Sequence, residues 1–134
     1  MSSAAVRALI ADDEPIARQV LREALESFPD VEIAGETENG EETLAKISAL
    51  RPDVVFLDLQ MPRMSGFEVI RRLEAGNLPI VVIVTAYDEH AIRAFEAGAI
   101  DYLLKPVGVS RLERTVERIR ELRGQRRVGA AHYG

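Results

Sequence analysis

The run Val54-Val55-Phe56-Leu57-Asp58, followed by the turn sequence Gln60-Met61-Pro62, decides how this chain folds. Four consecutive apolar residues before a turn predict a short strand that is buried on both faces, as in a parallel sheet. Asp58 ends that strand, so we expect its carboxylate at the edge of the sheet and not in the core. Open α/β sheets bind their ligands at that edge, beyond the carboxyl ends of the strands.

Similar apolar runs recur along the chain and alternate with segments of helical period. The predicted strands are 6–11, 31–35, 53–58, 80–85 and 101–104. This alternation predicts one doubly wound α/β domain, with right-handed crossovers and helices on both faces of a five-stranded parallel sheet. Gly124 is expected to end the fifth helix.

Helical periodicity also predicts which side chains face the core. A short fourth helix is expected around 89–97. The predicted inward residues of the five helices are Ile16, Val20, Leu21, Ala24, Leu25 and Phe28; Leu44, Ile47 and Leu50; Phe67, Ile70 and Leu73; Ile92 and Phe95; and Val109, Leu112, Val116 and Ile119.

Composition excludes several classes of protein. The 134 residues include no cysteine, which rules out disulfides, thiolate metal sites and a cysteine nucleophile. The longest uncharged apolar stretch, residues 77–87, is far shorter than the about 20 residues of a membrane span. We therefore expect a cytoplasmic protein with no membrane partner. The acidic excess lies in residues 1–106, which disfavours direct binding of nucleic acid by the body of the domain.

Polar side chains follow four of the predicted strands at the point where each strand ends. Asp12 and Asp13 follow the first, Asp58 the third, Thr85 the fourth and Lys105 the fifth. Clustered carboxylates repel one another, by about 4 kcal/mol for two charges 4 Å apart at an effective dielectric near 20. A divalent cation relieves that repulsion, and oxygen ligands alone favour Mg²⁺, with Mn²⁺ as a substitute. The simpler alternative is that Asp12 or Asp13 only caps the first helix.

Asp58 is the candidate nucleophile of this edge. A carboxylate can attack phosphorus and form an aspartyl phosphate, and phosphoryl transfer asks mainly for positioning and charge neutralisation. The metal and Lys105 would supply the positive charge.

Four separated motifs resemble the receiver domain of two-component response regulators. They are Ala11-Asp12-Asp13-Glu14, Asp58-Leu59-Gln60-Met61-Pro62 with Gly66, Thr85-Ala86 and Lys105-Pro106. The resemblance covers about residues 6–122 and implies a flavodoxin-like sheet with the strand order 2-1-3-4-5. We divide the chain into a receiver domain, 1–122, and a flexible basic tail or truncated linker to an absent output domain, 123–134.

The resemblance also implies a metal site and a phosphoryl donor. Asp58 would accept the phosphoryl group from a histidine kinase or a phosphotransfer protein. Asp13 would bind Mg²⁺ directly and Asp12 through water. Asp58 and the main-chain carbonyl of Gln60 would complete the protein's share of the metal ligands.

The remaining site residues have implied roles in the response to phosphorylation. Lys105 would pair with the phosphoryl oxygens, and Thr85 would move to donate a hydrogen bond to one of them. Tyr102 would then turn inward as the aromatic switch. Gln60 and Tyr87 occupy positions that tune the access of water to the phosphoryl group.

In receivers the Lys105-Pro106 peptide is often cis. More narrowly, residues 85–107 look like receivers of the LytTR-type (LytR/AlgR-like) class, in which a DNA-binding β-domain usually follows the receiver. Such a protein would regulate transcription, binding DNA only through that output domain. We further expect phosphorylation to alter the face formed by the fourth helix, fifth strand and fifth helix, and two chains to pair there. The charged residues that suggest this face are Arg93, Glu96, Asp101, Arg111, Arg114 and Arg118.

Two other functions compete with the signalling switch. Phosphatases of the haloacid-dehalogenase-like type also form an aspartyl phosphate, but they place a second Asp two residues after the nucleophile, where this chain has Gln60. A flavin-binding module would need a Ser/Thr- and Gly-rich phosphate loop after the first strand, where acidic residues stand instead. We expect the chain to catalyse only its own phosphorylation and dephosphorylation, and so not to be an enzyme on a separate substrate.

Overall fold

The computed structural model describes residues 5–73, 78–89 and 91–133, with side chains described as far as residue 125. Within these ranges strands and helices alternate as the sequence predicts. In chain order the elements are β1 Val6–Ala11, α1 Pro15–Leu25, β2 Val31–Thr37, α2 Gly40–Leu50, β3 Val54–Leu57, α3 Gly66–Arg72, β4 Ile80–Thr85, α4 Ala91–Glu96, β5 Asp101–Leu104 and α5 Val109–Tyr133. No helix in the described part of the chain has the length and apolarity needed to cross a bilayer.

The strands form a single parallel sheet in the order β2-β1-β3-β4-β5, which confirms the flavodoxin-like topology. Every residue of β3 and β4 is buried, because helices cover both faces of the sheet. One core lies beneath α1 and α5, and the other beneath α2, α3 and α4. Burial of each large side chain such as Phe56 contributes roughly 1.5–3 kcal/mol to folding.

The boundaries of two strands differ from the predicted ones. β2 continues to Thr37, two residues beyond its predicted end, because Thr37 still pairs with Ala11 and its carbonyl accepts a hydrogen bond from Asp12 N at 3.0 Å. β3 is one residue shorter at each end than the predicted strand and ends at Leu57. Asp58 therefore lies just beyond the strand, at the edge of the sheet.

Several predicted inward residues are wrong, and they lie near helix starts or in the shortest helix. Ile92 is 76% exposed and Phe95 is also exposed, because the six-residue α4 buries only Ala94. Val109 is exposed at the first residue of α5.

The apolar face of α1 is also narrower than predicted. Ile16 is 76% exposed and Val20 is exposed too. The residues that α1 buries are Leu21, Ala24 and Leu25, all in its second half.

The prediction that Gly124 ends the fifth helix is wrong. α5 continues to Tyr133, and an added Cβ at Gly124 would meet no atom within 4 Å. A glycine ends a helix when it adopts the left-handed conformation, and Gly124 remains helical. Gly134 lies outside the described residues. The prediction that residues 123–134 lead to a further domain stays a prediction.

Asp101 ties β5 to α5 through a partly buried polar cluster. Its carboxylate accepts hydrogen bonds from Arg111 at 2.5 and 3.1 Å and from the hydroxyl of the buried Thr115 at 2.7 Å. Burial acts to raise the pKa of Asp101, but Arg111, Thr115 and the N–H of Tyr102 lower it below the ordinary value. The ionised carboxylate therefore stabilises the fold.

Replacing Asp101 by Asn should lower the free energy of unfolding by about 1–3 kcal/mol at pH 7, because the ionised acceptor is lost. The folded-state pKa lies below the unfolded value of about 3.9, so this contribution is complete above pH about 4 and is lost as the pH falls through the folded-state pKa. Urea unfolding of both proteins from pH 7 to pH 3 measures the difference.

Glu113→Gln, an exposed change on the same helix, is the control and should stay within about 0.5 kcal/mol of wild type. A difference between wild type and Asp101→Asn that stays constant down to pH 3 would contradict the assigned pKa direction.

Candidate functional site

The predicted polar edge forms a cleft of about 540 Å³ at the carboxyl ends of the strands. Asp13, Asp58, Thr85 and Lys105 all line it. They stand at the carboxyl ends of β1, β3, β4 and β5, and these four strands are neighbours in the sheet. The convergence predicted from the sequence is therefore present in the structure.

Asp12 is fixed by backbone contacts on both sides. Its N–H donates to Thr37 O at 3.0 Å, which continues the β1–β2 pairing. Its Oδ1 accepts from the N–H of Glu14 at 2.9 Å, and its carbonyl accepts from Arg18 Nη1 at 2.6 Å. The side chain is buried, and Oδ2 contacts Lys105 Nζ at 2.7 Å.

Asp58 is held in a similar way at the end of β3. Its N–H donates to Ala11 O at 2.9 Å, across to β1. Its Oδ1 accepts from the N–H of Gln60 at 3.0 Å, and its Oδ2 accepts from Lys105 Nζ at 2.9 Å. Although Asp58 is buried, its carboxylate borders the cleft, so an approaching group can reach it.

Lys105 is the cation of the site. Its N–H donates to Thr85 O at 2.8 Å, and the peptide to Pro106 is cis, as the resemblance implied. Its ammonium contacts three carboxylates at once, those of Asp12 at 2.7 Å, Glu14 at 2.5 Å and Asp58 at 2.9 Å. A lysine ammonium has three N–H donors, so these contacts use all of them.

The pKa shifts follow from burial and from these ion pairs. Burial raises the pKa of Asp58, although the N–H of Gln60 and the Lys105 ammonium act in the opposite direction. Burial acts to lower the pKa of Lys105, but its hydrogen bonds to Asp12, Glu14 and Asp58 raise it above the ordinary value. Lys105 therefore keeps its positive charge throughout the physiological range of pH.

The carboxylates suit a hard divalent cation. Among the described residues, ligand oxygens of Asp12, Glu14 and Asp58 lie within 4.8 Å of one another. Asp13, predicted as the direct ligand, is exposed and lines the cleft, but it is not a member of that group. An all-oxygen donor set of this kind fits Mg²⁺, which binds through one or two carboxylates and retains several waters.

Three of the other predicted residues line the cleft, and the fourth, Tyr102, contacts one of them. Thr85 is buried at the end of β4, and Gln60 and Tyr87 are exposed on the cleft wall. The Tyr102 hydroxyl donates to Tyr87 O, and the Tyr102 ring lies 6.5 Å from that of Phe95, tilted by 44°. The predicted switch residue is therefore connected directly to the segment that follows Thr85.

Two residues that contact this site were not predicted to do so. Glu14 belongs to one of the motifs but had no predicted role, and it contacts Lys105. Arg18 donates to Asp12 O and pairs with Glu36 at 3.3 Å. One signal was available in the sequence, because a Glu just before Pro15 is a poor helix cap and so is free for another contact.

Gly66 brings α3 directly against the loop that carries Asp58. Its N–H donates to Leu59 O at 3.0 Å, and an added Cβ would lie 2.5 Å from Asp58 O and 2.9 Å from Leu59 Cα. The position of Asp58 thus depends on the absence of a side chain at residue 66.

Comparison with known proteins agrees with this geometry. Residues 8–117 match the family described as the response regulator receiver domain. The chain belongs to this family. Receiver domains are part of the response regulators of two-component systems and bind Mg²⁺ at an acidic pocket. The carboxylates of Asp12, Glu14 and Asp58 could hold such an ion in this chain.

The curated relatives that match this receiver are about twice as long as the chain. The transcriptional regulatory protein BtsR of Escherichia coli (strain K12) is 49% identical over 123 residues, which are 92% of this chain and 52% of that protein. An uncharacterized response regulatory protein of Vibrio cholerae is 51% identical over 112 residues, 84% of this chain and 47% of that protein. The chain thus spans about half the length of these relatives.

Solved receiver structures share the fold. The REC domain of AraT, a response regulator from Geobacillus stearothermophilus, has a TM-score of 0.81 and 36% identity, covering 90% of this chain and 97% of that one. The response regulatory domain of mrkE from Klebsiella pneumoniae has a TM-score of 0.82 and 30% identity, covering 89% of this chain and 98% of that one.

Replacing Gly66 by Ala should lower the free energy of unfolding by about 1–3 kcal/mol, because the new methyl group overlaps the Asp58 carbonyl. Gly124→Ala is the matched control. It adds a methyl group in open space within a helix and should leave stability unchanged or raise it by up to about 1 kcal/mol. Denaturant unfolding measures both. If Gly66→Ala is as stable as the wild type, residue 66 does not lie as close to the Asp58 carbonyl as described. If Gly124→Ala is destabilised, α5 is not continuous through residue 124.

Proposed function

We propose that this receiver is the phosphoacceptor of a two-component system and that Asp58 takes the phosphoryl group in a Mg²⁺-dependent reaction. The observation that carries the proposal is the ammonium of Lys105, a residue that lines the cleft and contacts Asp58 and Asp12. It places a fixed positive charge beside a carboxylate that an approaching phosphoryl group can reach.

The chemistry follows from those positions. An ionised oxygen of Asp58 attacks the phosphorus of the donor, an O–P bond forms, and the bond to the leaving group breaks with its electron pair. Lys105 then donates to a phosphoryl oxygen, and Thr85 donates to another. Asp12, Asp13, Asp58 and the Gln60 carbonyl would hold the metal. Bound Mg²⁺, or Mn²⁺ in its place, supplies further positive charge to the transferred group.

The response passes from Thr85 to Tyr102. Movement of Thr85 toward the phosphoryl group shifts the following segment, whose Tyr87 carbonyl accepts the hydrogen bond from Tyr102. Loss of that bond allows Tyr102 to turn inward. Gln60 and Tyr87, both on the cleft wall, control the access of water and so the lifetime of the adduct.

Membership of the receiver family supports a sensor histidine kinase or a phosphotransfer protein as the donor, acting in the cytoplasm. The BtsR relatives are named transcriptional regulatory proteins and are about twice as long. This supports an output domain after the receiver in the full-length protein, which would bind DNA and regulate transcription. The motifs in residues 85–107 support the LytTR-type class.

The family match favours this switch over a haloacid-dehalogenase-like phosphatase. The receiver would modify only itself, and so we do not propose an enzyme that turns over a separate metabolite.

The face of α4, β5 and α5 is the proposed site of pairing between phosphorylated chains. It exposes Ile92, Phe95 and Leu104, which supply apolar area. Asp101 and Arg111 already pair within the chain, so apolar contact and not that ion pair would drive association.

Treating the protein with acetyl phosphate and Mg²⁺ should add one phosphoryl mass to the wild type and none to Asp58→Asn. The Asn side chain has nearly the same shape but lacks the nucleophilic carboxylate. Intact mass spectrometry measures both, and a chelator of Mg²⁺ should suppress the wild-type reaction. A phosphoryl mass on Asp58→Asn would assign the acceptor to another residue.

Beryllium fluoride, a phosphoryl mimic, should convert the wild type to a dimer in sedimentation experiments. Ile92→Asp should weaken that dimer by roughly tenfold or more, because it puts a charge in the apolar centre of the interface. Ile16→Asp is the matched control, since both isoleucines are 76% exposed, and it should dimerise like the wild type. A wild type that stays monomeric with and without the mimic would reject this face.

A further inference from the structure

Glu14 occupies the N-cap position of α1, but its side chain caps no backbone N–H of the helix. A side-chain oxygen at this position usually accepts from the first turn, and the helix dipole favours a negative charge there. Glu14 Oε1 instead lies 2.5 Å from Lys105 Nζ, 91 residues away in sequence. The side chain of Glu14 therefore contacts Lys105 and not the first turn of its own helix.

Lys105 has no N–H donor to spare in this arrangement. Its three donors match the carboxylates of Asp12, Glu14 and Asp58. A phosphoryl oxygen that arrives beside Asp58 needs one of these donors, so one carboxylate must release Lys105.

Exposure identifies the carboxylate that leaves. The side chain of Glu14 is 62% exposed, whereas those of Asp12 and Asp58 are each 6% exposed. While the phosphoryl group arrives, Asp58 is still a carboxylate. At that stage a released Glu14 is hydrated by water at once, whereas a released Asp12 or Asp58 would lose its partner without gaining full hydration. Glu14 is therefore the partner that Lys105 gives up at least cost.

We infer that Glu14 is a positioning residue. In the unmodified protein its carboxylate occupies the Lys105 donor that a phosphoryl oxygen takes while the group is transferred to Asp58. This inference rests on the proposed function of Asp58. Glu14 acts through Lys105 and opposes phosphorylation, because its contact must break before Lys105 can stabilise the phosphoryl group during transfer.

Two substitutions separate this contact from the charge of Glu14. Glu14→Gln removes the charge with little change of shape, and Glu14→Asp keeps the charge but is one methylene shorter and is a good helix cap. Both should speed phosphorylation by acetyl phosphate at fixed Mg²⁺ by about 1.5- to fivefold, the range that an exposed ion pair supplies. Glu23→Gln, on the exposed surface of the same helix, should react like the wild type.

A second readout uses the unmodified protein. The ammonium protons of Lys105, followed by nitrogen-15 NMR, should exchange with water faster in Glu14→Gln and Glu14→Asp than in the wild type. Thermal midpoints serve as the check that the fold is unchanged. Glu23→Gln should leave the exchange rate unaltered.

The outcomes are distinct. Faster phosphorylation of Glu14→Gln alone, with Glu14→Asp like the wild type, would mean that the charge merely repels the anionic donor, and it would overturn the inference. Unchanged rates and unchanged ammonium exchange in both variants would overturn it too. A wild type that gains no phosphoryl mass, while the variants still accelerate ammonium exchange, would reject the proposed function and leave the Glu14 contact established.

Discussion

The ammonium of Lys105, in contact with three carboxylates, is the interaction on which this structure depends. Two of those carboxylates, Asp12 and Asp58, are buried and would repel each other without a cation between them. Repulsion between unit charges 4 Å apart is about 4 kcal/mol at an effective dielectric near 20, a large fraction of the stability of a small domain. One ammonium leaves the group net negative, which favours the binding of a further cation.

The parallel sheet is what brings these groups together. The N–H of Asp58 bonds to β1, and the N–H of Lys105 bonds to Thr85 at the end of β4. Asp58 and Lys105 are thus held by backbone contacts to neighbouring strands, and their positions do not depend on their own loops alone. Rigid placement of this kind is what phosphoryl transfer requires, because the reaction is promoted chiefly by orientation and fixed charge.

The sequence predicts the edge of the sheet well, because strand ends are marked by apolar runs that stop at Asp58, Thr85 and Lys105. It predicts helix faces less well. In the six-residue α4, periodicity cannot decide whether Ala94 or Ile92 faces inward. In the structure the smaller side chain, Ala94, is buried against the sheet and Ile92 is exposed. Glu14 was not predicted to contact Lys105 because that contact spans most of the chain. A poor capping residue before Pro15 signals that its side chain is available, but it does not identify the partner.

The most direct measurement is a crystal structure of the protein with Mg²⁺ and beryllium fluoride. We expect the fluoride group on the Asp58 carboxylate, with Lys105 Nζ in contact with a fluorine atom and the cation beside Asp12 and Asp13. A structure in which the fluoride group or the cation binds elsewhere, with Lys105 still paired to all three carboxylates, would contradict the proposed role of this cleft.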